Sequence, residues 1–135
     1  MVRVRYADTD QMGVVYHARY FEWFEAARTE MLRSMGMPYR QLEVEGVYLP
    51  VIESFCRYRR PVKYDELVEV KTRLVEVTRS RIRLDYEIWG DEEKTSRIQG
   101  YTAHCFMNRD GRSVRAPLSL VSFLQNCQIG PMSED

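Results

Sequence analysis

The chain has 135 residues, enough for one domain to bury roughly two thirds of the surface its unfolded form exposes. With 44% hydrophobic and 12% aromatic residues against only 7 Gly and 5 Pro, it reads as a folded globule, not a disordered or fibrous chain. Twenty Lys and Arg balance twenty Asp and Glu, so net charge points neither to nucleic acid nor to an anionic membrane, and any anionic ligand needs a local cationic patch.

The opening "MVRVRYADTD" lacks the apolar core of a secretory signal, and no segment approaches the roughly 18 apolar residues of a membrane span, so a cytoplasmic location is expected. Residues 2–6, "VRVRY", alternate apolar and basic as a half-buried strand does. From Ala18 to Met35 the period changes. Tyr20, Trp23, Phe24, Ala27, Met31 and Met35 recur at three- and four-residue steps, while Glu22, Glu25, Thr29 and Arg33 take the other side. This predicts an amphipathic helix ended by Gly36 as a left-handed cap and by Pro38.

After a polar stretch at 39–46, residues 47–60 read as a strand, with Pro50 marking an edge or bulge. Strands follow at 67–77 and 81–90, joined at "TRSR" as a hairpin. The second puts Ile82, Leu84, Tyr86 and Ile88 on one face. "DEEK" supplies a turn before a last strand at 95–108, "RDGRSVRAP" a loop, and 118–126 a short closing helix. The expected class is α+β: an antiparallel sheet of about five strands around one long central helix, in one domain over 1–126 with a tail at 127–135. Cys56, Cys105 and Cys127 are odd in number and widely spaced, so neither a disulfide framework nor a metal pair is expected. Cys56 and Cys105 read as small buried apolar residues.

The stretch "DTDQMGVVYH" (8–17) concentrates candidate chemistry and admits three readings. Asp and Thr could simply start the helix, since both favour turns and N-caps. Asp8, Asp10 and His17 are ordinary metal ligands, but too few, with no distant Cys or His to complete them. Alternatively, Asp10, Gly13 and His17 place a carboxylate beside the unpaired N–H groups of a helix start, where one activates water or attacks a carbonyl and the other stabilises an oxyanion. Gly13 would let backbone approach a ligand, and "VVY", including Val14, would seat the helix entry. Spacing alone does not choose among these.

The segment "RVRYADTDQMGVVYHARYFEWFEAARTEML" resembles the N-terminal signature of hotdog-fold acyl-CoA thioesterases of the 4-hydroxybenzoyl-CoA thioesterase superfamily, and most nearly the YbgC-type branch. "RYRRPVKYDELVEV" continues the likeness, which covers residues 1 to about 126. The resemblance implies a hotdog fold, hydrolysis of an acyl-CoA without cofactor or metal, and dimers often paired into homotetramers. An acyl carrier protein thioester is a further substrate candidate, and the alternative readings are a non-catalytic acyl-thioester-binding or scaffold protein, with Asp10 as a helix cap, or a hotdog hydratase or dehydratase, whose His and acidic motifs are not found here. Asp10 matches the family's catalytic carboxylate, and the backbone N–H at His17 its carbonyl-polarising donor. The His17 side chain stands where this branch carries histidine; Asp8 and Tyr6 match positions that are structural or line the site, and Tyr6, Gly13 and Val14 are the expected substrate-binding residues beside it. For the CoA phosphates, Arg59, Arg60, Arg79 and Arg81 are candidates, expected near the ends of adjacent strands. His104, in "YTAHCFM", reads as a satisfied strand histidine.

Overall fold

The computed structural model describes residues 1–91, 93 and 95–127. Five strands, β1 (Val2–Arg3), β2 (Val51–Tyr58), β3 (Leu67–Val77), β4 (Arg81–Gly90) and β5 (Ile98–Cys105), form one sheet in the order β1-β3-β4-β5-β2. Every pairing is antiparallel. The helices are α1 (Arg19–Ser34), α2 (Tyr39–Val44) and α3 (Leu118–Asn126).

One sheet face carries the expected Ile82, Leu84, Tyr86 and Ile88, with Val68, Leu74 and Ile98, all buried. Against it α1 sets Tyr20, Trp23, Phe24 and Leu32. Phe24 stacks on Tyr86 with ring centroids 4.4 Å apart, an arrangement that contributes about 0.5–1.5 kcal/mol beyond the burial of the rings. This close approach depends on Gly100: a Cβ there would lie 2.5 Å from the Phe55 carbonyl oxygen and 2.8 Å from Phe24 Cε2.

Several elements differ from the sequence-level expectation. The fully buried stripe of α1 is Tyr20, Phe24, Arg28 and Leu32, with Trp23, while the expected Met31 and Met35 pack half-buried at the margin of the core and Ala27 is half-buried. Arg28 tolerates burial because its Nη1 donates to the Tyr86 hydroxyl at 3.0 Å. The first strand ends at Arg3, and Tyr6–Asp8 form a 3₁₀ turn because the Asp8 carboxylate accepts the Arg5 N–H at 2.9 Å. The polar stretch holds α2, anchored by the buried Leu42 and followed by Gly46 at φ +81°. The last strand is shorter than expected at both ends. Cys56 and Cys105 are half-buried. Part of "DEEK" and the tail beyond Cys127 lie outside the described residues. Gly36 at φ +86° ends α1 as expected. β2 is an edge strand whose register shifts between Val51 and Glu53, just after Pro50.

Under α1 a chain of polar groups crosses the core. Arg28 donates to Tyr86, whose hydroxyl lies 2.8 Å from Thr102 Oγ1, itself 2.9 Å from His104 Nε2. His104 Nδ1 is 3.0 Å from the Leu49 carbonyl, which can only accept. That fixes the direction throughout: Nδ1–H donates to Leu49, Thr102 donates to Nε2, and Tyr86 donates to Thr102. His104 is therefore the satisfied strand histidine expected, held neutral by burial that pulls its pKa down to about 4.

Candidate active site

Residues 9–15 fold into a tight loop closed by an antiparallel bridge between Thr9 and Val15. Asp10 accepts the Gly13 N–H at its carbonyl (3.1 Å) and the Met12 N–H at its side-chain Oδ1 (2.8 Å). The second contact is an Asx-turn, the habit of aspartate in turns. Gly13 sits at φ +79°, and a Cβ there would meet nothing of the chain within 4 Å, so within the chain it is the left-handed turn, and not packing, that calls for glycine. Asp10 does not cap α1, whose N-cap residue, Ala18, makes no side-chain bond.

The loop hangs from the strap between β2 and β3. Val15 N–H donates to the Val62 carbonyl at 2.8 Å, and Val14 bridges to Lys63. Between loop, strap and the start of α1 lies a cleft of about 290 Å³ walled by Asp10, Val14, His17, Tyr20, Tyr58 and Arg59 among others. A larger groove of about 450 Å³ runs between α1 and β3, but it lacks His17 and every aspartate.

Asp10 and His17 are both exposed at this cleft. The second carboxylate oxygen of Asp10 makes no hydrogen bond among the described residues, and neither do the N–H groups of His17 and Ala18. A carboxylate with a free oxygen and unpaired amides at a helix entry are what a carbonyl reaction requires. The His17 ring lies against Tyr16 and Tyr58, with centroids 4.4 and 6.2 Å away, and the Tyr58 hydroxyl donates to the His17 carbonyl at 3.3 Å. Burial, with Cys56 beside it, pushes the Tyr58 hydroxyl up to about 12, so it remains a donor.

Asp8, with the same charge two residues away, is buried and faces Arg5, whose Nη2 reaches its Oδ1 at 3.0 Å. Burial pushes that carboxyl up, but the side-chain and backbone bonds from Arg5 outweigh it and hold Asp8 below the usual carboxylate range. Tyr6 is exposed edge-on to Tyr64, and neither it nor Gly13 lines the cleft.

The four arginines do not come together. Arg59 and Arg60 line the cleft. The Arg59 guanidinium has no partner among the described residues, whereas Arg60 reaches Glu93 and Thr95. Arg79 donates to the Ala116 carbonyl, and Arg81 faces Glu76 at 3.0 Å without hydrogen-bond alignment. Both lie at the opposite end of β4, about 23 Å from the cleft end at strand spacing, because Arg81 pairs with Cys105 while Ile88 pairs with Ile98. Tyr20 and Tyr58 are cleft residues that sequence reasoning missed: Tyr20 sits on the apolar stripe of α1 and reads as core, and Tyr58 sits among arginines at the end of β2. Among the described residues no group of three or more His, Cys, Asp or Glu could hold a metal, and no helix is long and apolar enough to cross a membrane.

Among known proteins, the chain is similar to a Bacillus subtilis protein provisionally named acyl-CoA thioesterase YneP, 33% identical over 81% of this chain and 78% of that one. The acyl-CoA thioester hydrolase YbgC of Escherichia coli is 42% identical over 54% of each chain. Of solved structures, a hypothetical protein from Thermus thermophilus superposes with TM-score 0.87 at 35% identity, covering 94% of this chain and 96% of that one. A DHNA-CoA thioesterase from Staphylococcus aureus does so with TM-score 0.85 at 29% identity, covering 93% and 86%. The sheet-and-helix architecture is that of the hotdog thioesterases. Residues 4–133 match the model of the thioesterase-like superfamily, and the chain belongs to that family.

Proposed function

We propose that this protein hydrolyses the thioester bond of an acyl-CoA to a free acid and CoA, with Asp10 as the catalytic carboxylate. The observation that carries this reading is the pairing, at one cleft, of an Asp10 oxygen and a His17 amide that the fold leaves unbonded. The His17 N–H would receive the thioester oxygen as negative charge develops on it. Asp10 then either takes a proton from the attacking water or attacks the carbonyl itself to give a mixed anhydride. In both routes the C–S bond breaks, the sulfur leaves as thiolate and takes up a proton, and water supplies the oxygen of the acid. The His17 ring, held by two tyrosines, flanks the bound acyl group.

Arg59 is the cation we assign to the CoA phosphates, since Arg60 is already engaged and Arg79 and Arg81 lie at the far end of the sheet. The exposed β2 edge, with Val51, Ile52, Phe55 and Tyr58 each more than 40% exposed, supports pairing of copies into a homodimer, and from there a homotetramer. The catalytic unit is the single domain of residues 1–126, acting in the cytoplasm on CoA esters or on acyl carrier protein thioesters. A thiol-release assay across short, medium, long-chain and aromatic acyl-CoAs tests the reading: turnover of at least one class is expected. Binding without thiol release across the whole set would contradict it.

A further inference from the structure

The strap that carries the candidate catalytic loop has its own anchor. Arg97, at the turn entering β5, has a side chain only 14% exposed. All three of its nitrogens are engaged: Nε and Nη2 meet the Glu93 carboxylate at 2.5–3.0 Å, and Nη1 meets Glu66 at 2.6 Å and the Pro61 carbonyl at 3.4 Å. The Arg97 backbone carbonyl accepts the N–H of Arg59 at 2.9 Å and of Arg60 at 3.1 Å. Glu66 in turn accepts the Lys63 N–H at 2.9 Å. One arginine thus ties down both ends of the strap from which Val14 and Val15 hang.

The fold makes room for this. A Cβ on Gly90 would stand 2.5 Å from Arg97 Nη2 and 2.6 Å from Glu93 Cδ, so the pair in this arrangement packs directly over the bare glycine at the end of β4. An exposed ion pair contributes little and orders little. A half-buried bidentate fork that also touches backbone carbonyl fixes geometry.

We propose that Arg97 is a positioning residue for the active cleft: through Glu93, Glu66 and the 59–66 strap it sets the placement of the turn that presents Asp10. The proposal rests on Asp10 being the catalytic carboxylate, but it touches no substrate and acts only through the strap. It predicts a specific division of effects. In Arg97→Gln, kcat for the best acyl-CoA should fall about 10-fold or more while KM changes less than about 3-fold, since misplacement of a reacting group is felt mainly in the rate. Arg97→Lys should not rescue, because a point charge cannot bridge Glu93, Glu66 and Pro61 together. The amides of Asp10 and Val15 should exchange hydrogen about 10-fold faster, while those of Leu84 and Tyr86 in β4 stay unchanged. Glu66→Gln, a milder change, should show the same pattern at smaller size, and keeps the idea testable if Arg97→Gln folds poorly. Unchanged kcat, rescue by Lys, or a uniform rise in exchange across the sheet would overturn the proposal. If the wild type hydrolyses no acyl-CoA, the functional reading fails, and the exchange pattern alone still decides whether Arg97 holds the loop.

Discussion

The two histidines and the two aspartates of interest sit in opposite conditions. His104 and Asp8 are buried, with their bonding capacity filled by Leu49 and Thr102 in one case and by Arg5 in the other. His17 and Asp10 are exposed at one cleft, with an amide and a carboxylate oxygen left unbonded. What distinguishes the two pairs is not residue type but unspent hydrogen-bonding capacity at a concave surface, which on the proposed function marks the pair that carries the chemistry. Each member of the saturated pair should therefore act on stability, and each member of the open pair on turnover.

The largest stability effect is expected at His104. His104→Ala removes a buried ring and strands both the Leu49 carbonyl and the Thr102 hydroxyl, so unfolding free energy in urea should fall by about 2–4 kcal/mol. A second test of the same histidine is pH. Its folded pKa of about 4 lies below its ordinary 6.5, so the unfolded chain binds the proton first as pH falls. Stability should be complete above about 6.5 and decline towards about 4, by at most about 3 kcal/mol, and His104→Ala should lack that part of the slope. A flat stability profile between these values would show that the buried chain of donors does not hold His104 neutral.

Smaller and confined to binding is the effect expected at the open cation. Arg59→Ala should raise KM for an acyl-CoA several-fold with kcat little changed, whereas Arg79→Ala, at the other end of the sheet, should leave both within about 2-fold. Equal effects from the two arginines would mean that the phosphates span copies of the chain instead of lying at one cleft.

What could be read from the sequence follows from how local each signal is. β3, β4 and α3 appear at the residues expected, because period-two alternation and the "TRSR" turn are properties of neighbouring residues. The α1 stripe was legible except for Arg28 and Leu32, the fully buried positions of its second half, since Arg28 enters the core by virtue of Tyr86, a partner 58 residues away. α2 escaped because six residues with one buried leucine carry too little periodicity. At the site, Asp10 and His17 could be named from the resemblance, but Asp10 as the head of an Asx-turn, and not of α1, depends on the Thr9–Val15 bridge. Arg97 gave no signal, because a charged residue in a turn reads as solvated and Glu66 lies 31 residues away.

The central claim, that Asp10 and not its neighbour does the chemistry, is tested most directly by measuring thiol release by Asp10→Asn and Asp8→Asn beside the wild type. Asn at position 10 still accepts the Met12 N–H, so the turn persists and stability should fall by at most about 1 kcal/mol. It can neither take a proton from water nor form an anhydride, so kcat should drop about 100-fold or more with the acyl-CoA still bound. Asp8→Asn weakens the Arg5 pair and should lower stability while keeping, at a temperature where it is folded, substantially more activity than Asp10→Asn. An Asp10→Asn protein that hydrolyses its best acyl-CoA at close to the wild-type rate would contradict the account and leave residues 8–17 as a structural turn.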